Sequence, residues 1–316
     1  VSMTRYLKPS MSNADQLILL KQRGLAIPDP ERAEWYLQRV GYYRLMGYLF
    51  PQRVHMSDRY RPGSTIVDAI ETYELDCGLR DLVMEAVGHI EIALRTSVTN
   101  NFALAYGPFG HHDGRCFAFD QTWHDEWTEI LGSEIRRSKE TFLAHYQCKY
   151  SDPPFPNVPI WMASQVMSFG SMSRFYRAMH AVDQKRIASD FALKAPVLRN
   201  WLHYTAVVRN VAAHHGRLWN REFGVKPVRP YGPSWSEATA PFPPAKSFYM
   251  LLVLRYLLSF TTADHTGWSA RVTKLLEIHL KSGQRVTAIG ATPGWQEHPL
   301  WAGSVPVAPT VPAKPL

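Results

Sequence analysis

Hydrophobic positions in this chain recur mostly at intervals of three and four, which is the spacing of an amphipathic helix. The alternating pattern of a half-buried strand is nearly absent. The longest helical pattern begins at Ile66 and continues to Phe102, close to forty residues, with Gly78 and Gly88 as candidate bends. The pattern therefore predicts an all-α fold.

Capping residues and prolines divide the first half of the chain into further helices. Ser12 opens a first short helix that Gly24 closes, and Asp29-Pro30 supplies an N-cap and a first-turn proline for a second. We expect a tyrosine-rich turn at residues 41–48. A further helix is predicted from Asp120 through about Tyr146.

A proline-rich loop at residues 151–159 interrupts the helical pattern. It is compatible both with a boundary between two lobes and with a turn inside one helical domain. Helices are then predicted at residues 161–169, 171–180, 183–191, 196–216, 245–262 and 269–279. The last residues, 303–316, are rich in proline and alanine and are predicted to be disordered.

The helix that starts at Pro196 carries an unusual group of polar residues near its end. At about 100° per residue, with Arg209 at zero, Asn210 falls near 100°, His214 near 140° and Arg217 near 80°. His215 falls on the opposite, apolar stripe, so we expect it to be a packed core histidine. One face of this helix is predicted to pack, and the other to present functional groups.

Positive charge is concentrated around the same helix. Between residues 174 and 229 there are eleven Lys or Arg and three acids, a difference equal to the net charge of +8 of the whole chain. Such a segment is typical of a surface that binds a polyanion, although a solvated basic surface has the same composition.

The composition of the chain indicates which broad class of protein it belongs to. The 316 residues are 46% hydrophobic and 20% charged, as in ordinary globular domains. No apolar run of eighteen residues occurs and no apolar signal-peptide core is present, so we expect no membrane span. Three widely spaced cysteines predict free thiols in a reducing compartment.

Arg209, Asn210 and His214 together are suited to cleaving RNA without a metal. Such a reaction needs a group that moves a proton, which a histidine can do near neutral pH, and a fixed cation against the charge on phosphate, which arginine supplies. Asn210 lies one turn before His214 and can orient the imidazole. The alternative is a hydrogen-bond network on a helix surface.

Other candidate residues have plainer interpretations. The loop His111-His112-Asp113 has metal-binding side chains but no partner at a recognisable spacing, so no metal site is predicted. Glu91 and Arg95 are four residues apart and form either an intrahelical ion pair or a support for Arg209 or His214. Aromatic rings on a protein surface are able to stack on unpaired bases. The sequence alone does not show which of this chain's aromatic residues are exposed and which are in the core.

The segment from Arg209 to Asn220 closely resembles the signature of the Abi-like family of bacterial abortive-infection proteins. The resemblance extends from about Tyr6 to Trp301, because further landmarks of that family occur in the same order. They are Tyr6-Leu7-Lys8-Pro9, Arg23-Gly24-Leu25, Gly41-Tyr42-Tyr43-Arg44-Leu45, Tyr73-Glu74-Leu75-Asp76 with Leu79-Arg80, Ile90-Glu91-Ile92-Ala93-Leu94-Arg95, Ser168-Phe169-Gly170-Ser171-Met172-Ser173, and Pro293-Gly294-Trp295 with Pro299-Leu300-Trp301.

The Abi-like family is similar to the HEPN superfamily, in which an arginine, four intervening residues and a histidine form a metal-independent ribonuclease site. Arg209 and His214 have this spacing, and Asn210 matches the polar residue that commonly follows the arginine. The resemblance implies a HEPN-like helical bundle with additional N-terminal and peripheral helices over residues 1–302. It also implies a homodimer with a composite site, and an RNA partner, since some members are associated with small structured RNAs.

We therefore expect a cytoplasmic, toxin-like endoribonuclease of an abortive-infection system, which leaves a 2′,3′-cyclic phosphate and needs no cofactor. His214 is assigned as general acid and base, Arg209 as phosphate clamp and Asn210 as orienting group. The residues expected to guide RNA are Arg174, Arg177, Arg199, Arg217 and Arg221. The alternative function is a non-catalytic scaffold that holds a small RNA, and a third is a helical module for protein interaction.

Overall fold

The computed structural model describes residues 9–230, 235, 242–262, 265–279 and 283–302. Within these residues the chain is helical and forms no β-strand, which confirms the all-α class. The helices are α1 (Asn13–Gln22), α2 (Pro30–Val40), α3 (Tyr42–Met46), α4 (Ile66–Tyr106), α5 (Gln121–Arg137), α6 (Thr141–Lys149), α7 (Ile160–Val166), α8 (Phe169–Ala178), α9 (Ala181–Asp190), α10 (Ala195–Ala213), α11 (Ser247–Leu258), α12 (His265–His279), α13 (Gly283–Ile289) and α14 (Pro299–Ala302). The tail that was predicted to be disordered, residues 303–316, lies outside the described residues.

Side-chain caps explain where several helices begin. At the starts of α1, α2, α5 and α8, a side-chain oxygen accepts a hydrogen bond from a first-turn amide, as in Ser12 with Asp15, Asp29 with Arg32, Asp120 with Trp123, and Ser168 with Ser171. Each such cap stabilises its helix by about 1 kcal/mol. The predicted helix starts at Ser12, Asp29 and Asp120 are confirmed.

The chain divides into two compact units, residues 1–78 and residues 79–316, and α4 begins in the first and ends in the second. In the first unit, α1 packs on α2 and α2 on α3. Leu20, Ala33, Leu37 and Leu45 of these helices form an apolar core together with Ile66, the first residue of α4. Burying each of the larger aliphatic side chains contributes about 1.5–3 kcal/mol.

In the second unit, α10 packs against α8 and α9. All twelve residues of α11 are buried, so this helix forms a central part of the core. Trp201 of α10 lies edge-on to Tyr256 of α11 with ring centroids 5.5 Å apart, and the Tyr256 hydroxyl donates to the Phe191 carbonyl at 3.0 Å. These contacts fix the rotation of α10 about its axis, and so decide which of its residues face outward.

Three local predictions differ from the structure. The tyrosine-rich segment that was predicted as a turn contains the short helix α3. The single helix predicted from Asp120 to Tyr146 is two helices, because Ser138 and Glu140 adopt extended backbone angles between α5 and α6. The long helix α4 is regular over 41 residues and continues through Gly78 and Gly88.

Two further predictions concern the membrane and the thiols. In the described part of the chain, no helix has the length and apolarity needed to cross a bilayer. Cys77, Cys116 and Cys148 are thiols outside any disulfide, as their spacing predicts. The fold is therefore held by packing and hydrogen bonds, and none of the three cysteines forms a disulfide.

Candidate functional site

The helix that carries the polar group, α10, is closed by residues 214–216. The His215 amide donates to the Ala212 carbonyl at 3.0 Å, and the Gly216 amide donates to the Val211 carbonyl at 2.7 Å. This pair of bonds is a Schellman motif, which requires a left-handed residue just after the helix. His215 takes that conformation, with φ of 55°. The motif therefore ends the helix immediately beside His214.

Four exposed polar residues, three of α10 and one at its C-cap, form one line, which we call the polar stripe: Arg199, His203, Asn210 and His214. At about 100° per residue they fall within about 60° of arc, and they extend about 22 Å along the axis. The opposite side of the helix is buried through Leu198, Trp201, Leu202, Tyr204, Thr205 and Val208. The polar stripe is thus the outward face of a helix whose other face is core.

Arg209 lies about 80° around the helix from Arg199, the nearest member of the polar stripe, and is half-buried. Its Nη1 lies 3.5 Å from Asn210 Oδ1, the upper limit of a hydrogen bond, so the guanidinium is held only weakly. It is separated from His214 by about 140° around the helix and about 7.5 Å along it. On the buried face of the helix, burial raises the pKa of the Tyr204 phenol.

The interpretation of His215 as a packed core histidine is wrong. Its side chain is exposed, and its φ of 55° belongs to the left-handed region. The helical angle that placed it on the apolar stripe assumed that the helix continues, whereas α10 ends at Ala213. His215 therefore has a role in closing the helix that its position in the pattern does not reveal.

Arg217 also leaves the face on which the helical angle placed it, because it follows the end of α10. The segment after it is anchored by Leu218 and Trp219, which are buried. The Ser247 hydroxyl donates to the Leu218 carbonyl at 2.5 Å, which attaches the segment to the start of α11. Arg221 donates to the Arg217 carbonyl at 3.5 Å and lies 5.9 Å from the centre of the Phe223 ring.

Three other predicted RNA-guiding arginines are exposed. Arg174 and Arg177 lie on α8, which packs against α10, and Arg199 belongs to the polar stripe. The Arg177 guanidinium lies 5.7 Å from the centre of the Phe119 ring. Positive charge therefore occurs on two adjacent helices of the second unit.

Glu91 and Arg95 form a largely buried ion pair on α4, with Arg95 Nη2 2.5 Å from Glu91 Oε1. Arg95 Nη1 donates to the Met167 carbonyl at 3.0 Å and also to the Ser164 carbonyl. Both carbonyls lie at the end of α7. The pair therefore connects α4 to α7.

Among the residues that the structure describes, the loop His111-His112-Asp113 belongs to no group of three or more side chains suited to holding a metal ion. His111 is fully buried, and neither ring nitrogen has a hydrogen-bond partner. Burial, with the neighbouring His112 and His124, holds the pKa of His111 well below its usual value. This histidine is neutral at physiological pH.

Sequence reasoning did not single out His203. It precedes His214 by eleven residues, close to three helical turns, so the two imidazoles lie on the same side of α10. The helical periodicity does place His203 on the outward side of α10. Extending the polar face backwards from Asn210 would have identified it. With Arg199, His203 lengthens the outward polar face by more than two turns.

Comparison with known proteins gives a family match. A family model described as Abi-like protein matches residues 35–220. This range includes Glu91, Arg95 and the whole of α10, and it ends one residue before Arg221. Neither the search of curated proteins nor the search of solved structures found a match.

Proposed function

The chain belongs to the Abi-like protein family, and we propose that it is a metal-independent endoribonuclease that acts in abortive infection of bacteria by phage. The observation that carries this proposal is the outward-facing group at the end of α10. Asn210 and His214 are exposed there, and Arg209 is half-buried beside them. The surrounding segment holds an excess of positive charge equal to that of the whole chain.

These side chains supply the groups that RNA cleavage requires. The 2′-oxygen of a ribose forms a bond to the adjacent phosphorus, and the bond from phosphorus to the 5′-oxygen breaks. An imidazole accepts the proton of the 2′-hydroxyl, and a proton is returned to the departing 5′-oxygen. His214 is the proton-transfer group in this proposal, and the Arg209 guanidinium stabilises the charge that develops on the phosphate. The products are a 2′,3′-cyclic phosphate and a 5′-hydroxyl.

Geometry supports a site shared by two chains. Within one helix, Arg209 and His214 point about 140° apart, so a single copy directs them poorly at the same phosphate. If two copies of α10 meet along the face between Arg209 and His214, Arg209 of one copy is directed towards His214 of the other. We therefore propose a homodimer with two composite sites.

The arginines on α8 and α10, together with Arg217 and Arg221, are proposed to guide the RNA backbone to this site. Arginine suits this role because its planar group pairs with phosphate oxygens. A small structured RNA that restrains the nuclease is part of the same proposal, as is a cytoplasmic location, where such an RNA and its substrates are found.

The proposal is tested with purified full-length protein, freed of bound nucleic acid, and single-stranded RNA in the presence of EDTA. We expect cleavage with cyclic phosphate ends and loss of cleavage in His214→Ala. The matched control is His215→Asn, which replaces the neighbouring exposed histidine by a residue that tolerates left-handed backbone. It is expected to retain cleavage.

Other outcomes decide between the proposals. Strict dependence on a divalent metal, or full activity of a folded His214→Ala, would contradict the mechanism. Absence of cleavage together with tight RNA binding would instead support the non-catalytic scaffold. Ultracentrifugation of the active sample tests the dimer, because a monomer that cleaves RNA excludes a composite site.

A further inference from the structure

A second surface rich in arginine and aromatic residues lies in the first unit, far in sequence from α10. It is formed by α3 and the loop that follows, and we call it the aromatic surface. Its members are Tyr43, Phe50, Arg53, Asp58 and Arg61. None of them belongs to the candidate site in α10.

The loop of the aromatic surface is folded back on itself by backbone hydrogen bonds. The Val54 amide donates to the Arg59 carbonyl at 2.9 Å, and the Arg61 amide donates to the Gln52 carbonyl at 2.9 Å. Behind the loop, Tyr60 is buried in the core of the unit. The loop is therefore an ordered projection with its base attached to the core.

Two concavities meet on this surface. One, of about 730 Å³, is lined by the loop from Phe50 to Arg61, and the other, of about 720 Å³, is lined in part by Tyr43 and Arg23. Arg53 and Asp58 line both of them. The two concavities thus share a wall, and each has an aromatic ring at its edge.

Those two rings are unusually exposed. Tyr43 is 80% exposed and Phe50 is 69% exposed. An aromatic ring that stays in solvent does not contribute the stabilising free energy of burial, which is about 25 cal/mol per Å² of apolar surface. Exposed rings beside a concavity are instead available to stack on a flat partner.

The charge of the surface selects an anionic partner. Arg23, Arg53 and Arg61 line the concavities together with one acid, Asp58. That carboxylate is shared, since it lies 2.8 Å from Arg23 and 3.4 Å from Arg53. The set therefore keeps an excess of two positive charges.

Arg53 joins the charged and aromatic features. Its guanidinium lies 6.0 Å from the centre of the Phe50 ring and 5.7 Å from that of Tyr60. Its Nε is buried and has no hydrogen-bond partner. A cation close to an exposed ring is an arrangement suited to binding phosphates and stacked bases together.

We infer that the aromatic surface is a binding site for single-stranded RNA, with bases stacked on Tyr43 and Phe50 and phosphates at Arg53 and Arg61. Single strands fit because their bases are free to stack, whereas the bases of a duplex are already stacked and paired. The choice of RNA over DNA rests on the proposed function. The site would hold RNA through residues of the first unit, none of which belongs to α10.

The experiment measures fluorescence anisotropy of a labelled oligouridylate with the full-length chain carrying His214→Ala, so that the RNA is not cut. Adding Tyr43→Ala or Phe50→Ala is expected to weaken binding at least about fivefold for each ring. Arg61→Glu is expected to weaken binding and to reduce the dependence of affinity on salt. Cross-links from 4-thiouridine are expected on the peptides that contain Tyr43 or Phe50.

The matched control is Trp35→Ala. Trp35 is 49% exposed and has Arg39 stacked at 4.3 Å, but it lies on α2, where acids and arginines are equal in number, and it lines neither concavity. It is expected to leave the affinity unchanged. Circular dichroism confirms that each variant is folded.

Parent affinity in the folded Tyr43→Ala, Phe50→Ala double variant would overturn the inference, and a protein-binding surface would then replace it. Equal binding of a duplex of the same length would also overturn it. The result is separable from the nuclease test. If the wild-type protein does not cleave RNA but RNA affinity falls in these variants, the inference stands and the proposed nuclease activity is wrong. If the wild-type protein cleaves RNA but these variants bind RNA with the parent affinity, the proposed nuclease activity stands and the inference is wrong.

Discussion

The amide of Gly216 donates a hydrogen bond of 2.7 Å to the carbonyl of Val211, and this bond closes the helix that carries Arg209 and Asn210. It requires an unusually close approach. A Cβ at residue 216 would lie 2.9 Å from both the carbonyl oxygen and the Cγ1 of Val211. Glycine is therefore needed at this position because of space, while the left-handed turn itself is made by His215.

This contact predicts that Gly216→Ala destabilises the end of α10. The backbone oxygen of Val211 cannot move aside without breaking the helix closure, so we expect a loss of about 1–3 kcal/mol in the free energy of unfolding. Cleavage should fall as well, because His214 lies within the displaced turn. Urea unfolding and an RNA cleavage assay measure the two effects.

Gly224→Ala is the control for this substitution. An added Cβ there meets nothing within 4 Å, so the stability should remain within about 1 kcal/mol of the parent. Equal stabilities of the two variants would show that the close approach at Gly216 is not a constraint.

The polar stripe predicts an effect on RNA binding at a distance from His214. Arg199→Ala and His203→Ala each remove an exposed side chain and should leave the fold intact. We expect a higher KM with little change in kcat, because in the proposed function these groups contact RNA away from the reacting phosphate. Arg199→Ala should also reduce the salt dependence of binding by about one counterion.

Lys139→Ala provides the comparison for the polar stripe. Lys139 is exposed between α5 and α6 and lies outside the basic segment. Its removal should change neither KM nor the salt dependence. If it weakened binding as much as Arg199→Ala, the effect would be one of total charge and not of the polar stripe.

The ion pair of Glu91 with Arg95 predicts a large effect on stability. Arg95→Ala leaves the Glu91 carboxylate and the carbonyls of Ser164 and Met167 without their partner in a largely buried place. We expect a loss of about 3–5 kcal/mol in the free energy of unfolding. The exposed pair of Arg271 with Glu85 is the control, since Arg271→Ala should cost about 0–1 kcal/mol.

A milder variant distinguishes a structural role of the Glu91–Arg95 ion pair from a role in catalysis. Glu91→Gln keeps an acceptor for the Arg95 guanidinium and should remain folded. Because Arg95 holds the end of α7, this variant is expected to cleave RNA at the parent rate. Loss of cleavage in folded Glu91→Gln would instead make the pair a positioning element for Arg209 or His214.

Much of α10 could be predicted from the sequence, whereas its end, predicted at Gly216, lies three residues earlier, at Ala213. Periodicity located the helix and the outward direction of Asn210 and His214, because a buried stripe with a fixed angular period leaves only one side for solvent. The same rule failed at His215 and Arg217. A periodic pattern treats the residues after the helix as if they were still helical. The actual end of α10 depends on the left-handed φ of His215, which no periodic pattern encodes.

The sequence also did not predict which individual aromatic rings are exposed. Tyr43 lies two residues before Leu45, which is fully buried, yet Tyr43 is among the most exposed side chains of the first unit. Over so short a helix as α3, no repeated pattern distinguishes the two sides. The aromatic surface became visible only when the tertiary structure separated exposed rings from core ones.

The buried imidazole of His111 predicts acid sensitivity of the fold. Burial, followed by the proximity of His112 and His124, lowers the pKa of His111 well below 6.5 in the folded chain. Between that lowered pKa and about 6.5, the unfolded chain binds a proton that the folded chain does not. The free energy of unfolding should therefore fall as the pH drops below about 6.5, by up to about 1.4 kcal/mol per pH unit from this residue.

Replacing the imidazole should remove that contribution. In His111→Phe, we expect a shallower loss of stability between pH 6.5 and more acidic values, measured by urea unfolding at a series of pH values. Stability at pH 8 should be equal or higher, because neither ring nitrogen of His111 has a partner to lose. His145→Asn, at an exposed position on α6, should keep the parent slope. An unchanged slope in His111→Phe would assign the acid sensitivity to other groups, first of all to His112, whose pKa is also lowered by burial.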